Sequence, residues 1–202
     1  MIGSGNGYLE STLSEVISTL SIDTDKEELR VAQVLNAGKA IRDFRQLDLH
    51  DLPKVVEAGR FEGVVISEVL EHLEDDIKAL EVAHHCVAND GTLFVTVPNV
   101  RRFQNRFRTY LGQKPRYMAP GHVREYTLGG AIDIVQRAGF RCHGITGLDF
   151  WLPKDYVWNR VLPYGSPSRR WMGRVWPTLA TWFLLVCKKE RRRETRRWGE
   201  VC

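Results

Sequence analysis

Two groups of residues in this chain have the types and spacing to do chemistry. The first is Gly3-Ser4-Gly5-Asn6-Gly7, followed sixteen residues later by Asp23 at the end of an apolar stretch. Glycines at alternate positions let a backbone turn tightly and approach a ligand, and an acidic residue closing the next strand can grip a pair of ribose hydroxyls. That pattern reads as a nucleoside-cofactor site, for NAD, FAD or S-adenosylmethionine, or as a turn that needs glycine for shape alone. The spacing narrows it: the dinucleotide fingerprint is GxGxxG, whereas here the glycines run GxGxG.

The second group is Glu68, Glu71 and His72. On a helix running from Glu68 to Ala88, their i, i+3, i+4 spacing would put two carboxylates and an imidazole on one face, at the carboxyl end of a strand where α/β sites lie. They are candidate cation ligands; alternatively the acids favour a helix amino terminus and His72 is a general base or a packed side chain. His122 and Arg124 follow a glycine- and proline-bearing stretch and could close over a substrate, one as a base and the other as an anion clamp.

These residues need a scaffold, and the hydrophobic pattern supplies one. Helical spacing marks Tyr8 to Leu13, Lys26 to Leu35, Glu68 to Ala88 and Thr127 to Ala138; apolar runs mark strands at Val16 to Ile22, Ala40 to Leu49, Phe61 to Ile66, Thr92 to Val97, Phe140 to Ile145 and Trp182 to Lys188. Asn89-Asp90-Gly91 is turn chemistry. Alternating strands and helices with nearly continuous apolar strands predict a doubly wound α/β domain around a mostly parallel sheet. Residues 1–189 make that domain. Within it, Arg101 to Pro120 stands out as a lid or insert, carrying Arg101, Arg102, Arg106 and Arg108 among Phe103, Phe107 and Tyr110. Residues 190–202 read as a basic, disordered tail.

At 202 residues and 43% apolar content the chain can bury a real core, which excludes a disordered protein. The net charge is +4, but Lys188 to Arg197 alone carries seven cationic and two anionic groups, so the basicity belongs to the tail. The scattered Cys86, Cys142, Cys187 and Cys202 form no CxxC pair and read as reduced thiols of a cytoplasmic protein. No secretory signal is visible, and the apolar run from Leu179 to Cys187 is far too short for a membrane span. Trp151, Trp158, Trp171, Trp176 and Trp182, interleaved with Arg169, Arg170 and Arg174, mark either a membrane-facing edge or the cap of a core.

Taken in order, Ile2-Gly3-Ser4-Gly5-Asn6-Gly7, Asp23, Leu47-Asp48-Leu49, the run from Phe61 to Leu73 with Glu68-Val69-Leu70-Glu71-His72, the run from Gly91 to Asn99, His122 to Thr127 and Ala138-Gly139-Phe140 resemble a class I S-adenosylmethionine-dependent methyltransferase. The likeness runs from Met1 to about Lys189 and is to the small-molecule and lipid methyltransferases of that group. It implies a Rossmann-like methyltransferase fold and S-adenosylmethionine as cofactor. Gly3, Ser4, Gly5, Asn6 and Gly7 would pass under the methionine moiety, Asp23 would accept the ribose hydroxyls, and Asp48 with the Leu49 amide would read the adenine edge. Ser67 and Glu68 would line the methionine end. His72 and His122 would be the catalytic residues.

In metal-dependent relatives, including small-RNA 2′-O-methyltransferases and ubiquinone-pathway O-methyltransferases, the ExxEH pattern holds a divalent cation such as Mg2+. Here that implies Glu68, Glu71, His72 and, as fourth ligand, His122. The acceptor would be a small or lipid-linked molecule, with peripheral membrane contact and no span. An RNA acceptor is the alternative, and a truncated, non-catalytic binding protein is another. The second of these has a reason: relatives enter the glycine loop through an apolar strand ending just before Ile2, where this sequence has Met1. The amino-terminal strand and the helix before it are therefore expected to be missing, and Met1 to Cys202 to be weakly stable and inactive.

Overall fold

The structure is a computed structural model that describes residues 1–39, 42–150, 160, 162–163 and 165–190. The tail from 191 onward, together with Trp151, Trp158 and Cys202, lies outside the described residues, so those expectations stand there untouched. Six strands are present: β1 (Thr19–Asp23), β2 (Arg42–Gln46), β3 (Phe61–Ser67), β4 (Val87–Pro98), β5 (Phe140–Leu148) and β6 (Trp182–Lys189). β1 pairs with β2 and β3 with β4, both parallel, while β6 lies antiparallel between β4 and β5. The two groups are joined through Ile2, which bridges Ile22 of β1 and Ile66 of β3 in parallel sense. The Ile2 amide donates to Val65 O at 2.9 Å, the Gly3 amide to Ile22 O at 3.0 Å, and Ile22 N to Met1 O at 3.0 Å. Two residues thus hold the place of the sheet's central strand, and β1 and β3 are set in line on either side of them.

Local sequence explains the helices. Helix α1 (Tyr8–Thr12) follows the glycine loop, and α2 (Lys26–Leu35) starts at Asp25, whose carboxylate accepts from Glu27 N at 2.8 Å and Glu28 N at 3.2 Å. It ends at Asn36, a buried side chain whose amide donates to Ala32 O at 2.9 Å and Gly7 O at 3.0 Å, tying the helix end to the loop. A short α3 (Leu52–Val55), then α4 (Asp76–Cys86) and α6 (Leu128–Arg137), pack in sequence on one another, and α5 (Phe103–Tyr110) forms within the insert. Thr127 caps α6 by accepting from Gly130 N. The core is the alternating inner face of β3, β4 and β6 (Val64, Ile66, Leu93, Val95, Phe183, Leu185) against Leu80, Ala83 and Val135 of the helices.

Three expectations need correction. The helix from Glu68 to Ala88 is broken: Glu68 takes a left-handed conformation with φ 54°, Leu70–His72 is a single 3-10 turn, and α4 begins only at Asp76, capped by Asp75 accepting from Lys78 N at 2.9 Å. Glu68, Glu71 and His72 therefore share no α-helical face. Asn89-Asp90-Gly91 does not end a segment but lies within β4, where the register jumps from Phe61↔Val87 to Gly63↔Thr92. Gly91 fits there because a Cβ would stand 2.9 Å from Glu62 O. Val16 and Ile17 are exposed and precede β1, which starts at Thr19. A helix not expected, α7 (Pro167–Val175), is capped by Ser166 and lies against β5.

Candidate functional site

The glycine loop sits at the carboxyl end of the central sheet position, and its three glycines serve different ends. All have positive φ: 71° at Gly3, 51° at Gly5 and 71° at Gly7. A Cβ on Gly3 would stand 2.1 Å from Val69 Cγ2, and one on Gly7 would stand 2.9 Å from the Ala32 Cα. Those two glycines let the loop pack under the β3 exit and onto α2. Gly5 alone faces open space, with nothing within 4 Å of such an atom, so it is the position where a ligand can lie on bare backbone. Its amide donates to Asp23 Oδ2 at 2.7 Å, and Asp25 N donates to Oδ1 at 3.0 Å. Each carboxylate oxygen has a second lone pair, so Asp23 is fixed in orientation and can still accept from hydroxyls.

The other expected cofactor residues divide. Asn6 is exposed and its Oδ1 accepts from Tyr8 N at 3.2 Å, a role in starting α1. The Ser4 hydroxyl is buried without a partner. Asp48 closes the loop after β2 and caps the 3-10 turn Leu49–Asp51 by accepting from His50 N at 2.8 Å; Leu49 itself is buried in the core. Ser67 Oγ lies 2.9 Å from Thr96 Oγ1, and Thr96 donates to Glu68 Oε1 at 3.1 Å. Thr96 on β4 thus couples both residues, a link invisible without the β3 to β4 register.

The second constellation also assembles, by a different route from the one the spacing suggested. Ligand atoms of Glu71, His72 and His122 lie within 4.8 Å of one another. The two imidazoles meet edge to face at 4.8 Å between centroids. His72 Nδ1 is 3.3 Å from Gly121 O and His122 Nδ1 is 3.3 Å from Glu125 Oε1. Acceptors on Nδ1 favour the tautomer that leaves each Nε2 lone pair free, the arrangement usual for imidazole ligands. Both Glu71 oxygens are buried, and the Glu68 carboxyl is their neighbour. Glu68 stands outside this triad but beside Glu71. Burial, then the charge of Glu71, pushes the Glu68 carboxyl up to about 8, and burial pushes Glu71 up to about 7.

Glu125 is the residue beside this triad that sequence reasoning missed. Its side chain is fully buried, accepts from Met118 N, and pairs with the buried Arg102 guanidinium at 2.5 Å while orienting His122. Arg102 also donates to Asn99 O and Arg116 O, so this arginine fastens the insert and is not offered to a substrate. Arg124 is likewise occupied. It pairs with Asp76 at 3.0 Å and donates to Glu74 O at 2.7 Å, so the anion-clamp reading is replaced by a staple onto the start of α4.

A sequence profile described as a methyltransferase domain matches residues 2–144. The chain belongs to this methyltransferase-domain family. Solved structures of the same fold include a SAM-dependent methyltransferase of Thermotoga maritima, 15% identical over 94% of this chain and 80% of that one, with a TM-score of 0.67. Another is a SAM-dependent methyltransferase of Archaeoglobus fulgidus, 16% identical over 93% and 84%, with a TM-score of 0.62. Among curated relatives, the ubiquinone biosynthesis O-methyltransferase of Pseudomonas aeruginosa is 30% identical over 101 residues, 48% of this chain and 43% of the enzyme. That of Xanthomonas campestris is 26% identical over 100 residues, 48% and 41%. The match spans less than half the length of these relatives. S-adenosylmethionine is the methyl donor of methyltransferases of this fold. Among the described residues no helix is long and apolar enough to cross a membrane.

Proposed function

We propose that this domain transfers a methyl group from S-adenosylmethionine to a hydroxyl oxygen of a small or lipid-linked acceptor. The observation that carries the reading is Asp23 held by Gly5 N at 2.7 Å under a loop open on one side only, with Glu71, His72 and His122 grouped beyond the next strand. The names of the ubiquinone biosynthesis O-methyltransferases support oxygen as the atom methylated.

S-adenosylmethionine supplies a methyl group on a sulfonium that an oxygen nucleophile displaces in line. The chain's own residues position and deprotonate. Gly5 presents backbone to the donor, Asp23 accepts from its ribose hydroxyls, and Ser67 and Glu68 border its methionine end. At the acceptor, His72 or His122 takes the hydroxyl proton on the Nε2 that its Nδ1 contact leaves free. The same three side chains fit a divalent cation, since a Glu71 oxygen and a ring nitrogen of each imidazole lie within 4.8 Å of one another and both rings are oriented from behind. Glu71, His72 and His122 would hold it, and a cation there lowers the pKa of an acceptor hydroxyl. Glu68 is better placed as their neighbour than as a fourth ligand.

Calorimetry with S-adenosylhomocysteine tests the donor half. Asp23→Ala should weaken binding about tenfold to a hundredfold, the worth of charge-assisted hydrogen bonds. Equal affinity in the variant, or no binding to wild type, would remove Asp23 or the donor from the reading.

A further inference from the structure

Helix α7 is built inside out. Its inward positions are Arg169 and Gly173, both buried, while Trp171, at 59% exposure, faces solvent. The outward stripe reads Arg170, Trp171, Arg174 and Val175 at helical spacing, and Trp176 follows at 47% exposure, meeting Trp171 edge to face at 5.9 Å. In an ordinary surface helix aromatic residues are the ones that pack inward. Here the fastening is done by backbone: a Cβ on Gly147 of β5 would stand 2.4 Å from Gly173 O, and one on Gly173 would stand 2.6 Å from Gly147 O. The tryptophans are therefore not needed to hold the helix down.

Charge points the same way. From residue 156 through 189 the sequence has six lysines and arginines and no aspartate or glutamate. The face also lies at the site's end of the sheet. The segment after α7 is tied to the exit of β4, where Asn99 Nδ2 donates to Thr178 O at 3.1 Å and Ala180 O at 2.8 Å, and Trp182, which opens β6, lies against Glu68.

We infer that the exposed face of α7 docks on an anionic lipid bilayer surface, with Trp171 and Trp176 entering the headgroup layer and Arg170 and Arg174 pairing with lipid phosphates. Indole rings partition to that layer, and cations flanking them add electrostatic attraction. Docking in this pose turns the carboxyl end of the sheet toward the lipid, which suits an acceptor that resides there. The docking itself needs neither donor nor acceptor, so its failure would leave cofactor binding standing.

The test is co-sedimentation of the full chain with phosphatidylglycerol-rich vesicles and with phosphatidylcholine vesicles. Wild type should partition onto the anionic vesicles and release with salt. Replacing both cations (R170Q with R174Q) should weaken binding about 25-fold, at about fivefold per cation near an anionic surface, and Trp171→Ala with Trp176→Ala should weaken it about tenfold or more. Both variants should melt within a few degrees of wild type, as exposed substitutions do; should the tryptophan variant fail to fold, the arginine variant decides. No anionic binding by wild type, equal binding to both lipids, or variants that bind like wild type would overturn the inference. So would complete loss of binding on truncation after Glu190, which would assign it to the tail. An RNA oligonucleotide that binds wild type and is lost in the same variants would assign the face to nucleic acid instead.

Discussion

The two key carboxylates of the site, Asp23 and Glu71, are held in opposite ways. Around the glycine loop the key carboxylate is satisfied from within: both oxygens of Asp23 accept backbone amides, and Asn36 ties Gly7 to the end of α2. The Glu71 carboxylate is buried with no backbone amide on it and with the carboxyl of Glu68 as its neighbour, while the imidazoles beside it are held at Nδ1, His72 by Gly121 and His122 by Glu125. A polar group left unpaired in the interior costs free energy unless something outside the chain completes it. Asp23 is thus oriented by backbone amides, whereas Glu71 belongs to a side-chain set whose chemistry depends on what binds.

The largest expected effect lies behind the acceptor side. Glu125 and Arg102 form a pair with side chains almost wholly excluded from water, and removing one partner of such a pair leaves a buried charge, costing about 3 to 5 kcal/mol. Glu125→Gln should therefore lower the melting temperature sharply and loosen the insert, as seen by faster proteolysis between Arg101 and Pro120. Arg124→Gln, which breaks the more exposed contact with Asp76, should cost about 1 kcal/mol or less. Equal losses in the two variants would show that the insert is not hung on Glu125.

Next comes Glu71 itself, where the two sides should part most clearly. Glu71→Gln should reduce turnover about a hundredfold, measured as S-adenosylhomocysteine release, yet leave the melting temperature of the ligand-free protein unchanged or raised, because a desolvated carboxylate is removed. If a cation is held there, EDTA should mimic the variant and added Mg2+ should restore wild type alone. A variant that melts markedly lower would mean that the contact of Glu71 with Glu68 holds the fold together, and the contrast drawn above would fail. Full turnover in excess EDTA would leave the histidines as bases and eliminate the cation.

Much of the frame was legible because local rules and burial agreed. Helix α2 runs from Lys26 to Leu35 as its cap at Asp25 dictates, and β3 and β6 follow continuous apolar runs. The helix after β3 was misread because Val69, Leu70, Leu73, Ile77 and Leu80 keep helical spacing straight through a left-handed Glu68; the cap at Asp75 was the available signal. Helix α7 carried Ser166 followed by Pro167, the pattern of a helix start, but its aromatic and glycine content masked it. In the site, Gly3 to Gly7 and Asp23 are near enough in sequence for spacing to speak. Glu125 stands in the His122 to Thr127 run, but its role was not legible: its partner Arg102 is twenty-three residues away, and only the fold brings the two together.

A pair of glycine variants sharpens the donor side. Among the three loop glycines, only Gly5 has room for a side chain, so Gly5→Ala meets no atom and pays only for holding a residue with a Cβ at φ 51°, about 1 to 2 kcal/mol. Gly7→Ala pays the same strain and also drives a methyl to 2.9 Å from the Ala32 backbone, which overpacking rules put at about 1 to 3 kcal/mol more. The melting temperatures should rank wild type, then Gly5→Ala, then Gly7→Ala. Cofactor affinity should rank the other way relative to stability: Gly5→Ala, still folded, should lose most of its S-adenosylhomocysteine binding, because its methyl occupies the open face where the ligand would lie on backbone. Comparing the two variants by melting and by calorimetry at a temperature where both are folded separates shape from contact. If Gly5→Ala binds as wild type does, the open face is not the cofactor's bed, and the loop's glycines are there for packing alone.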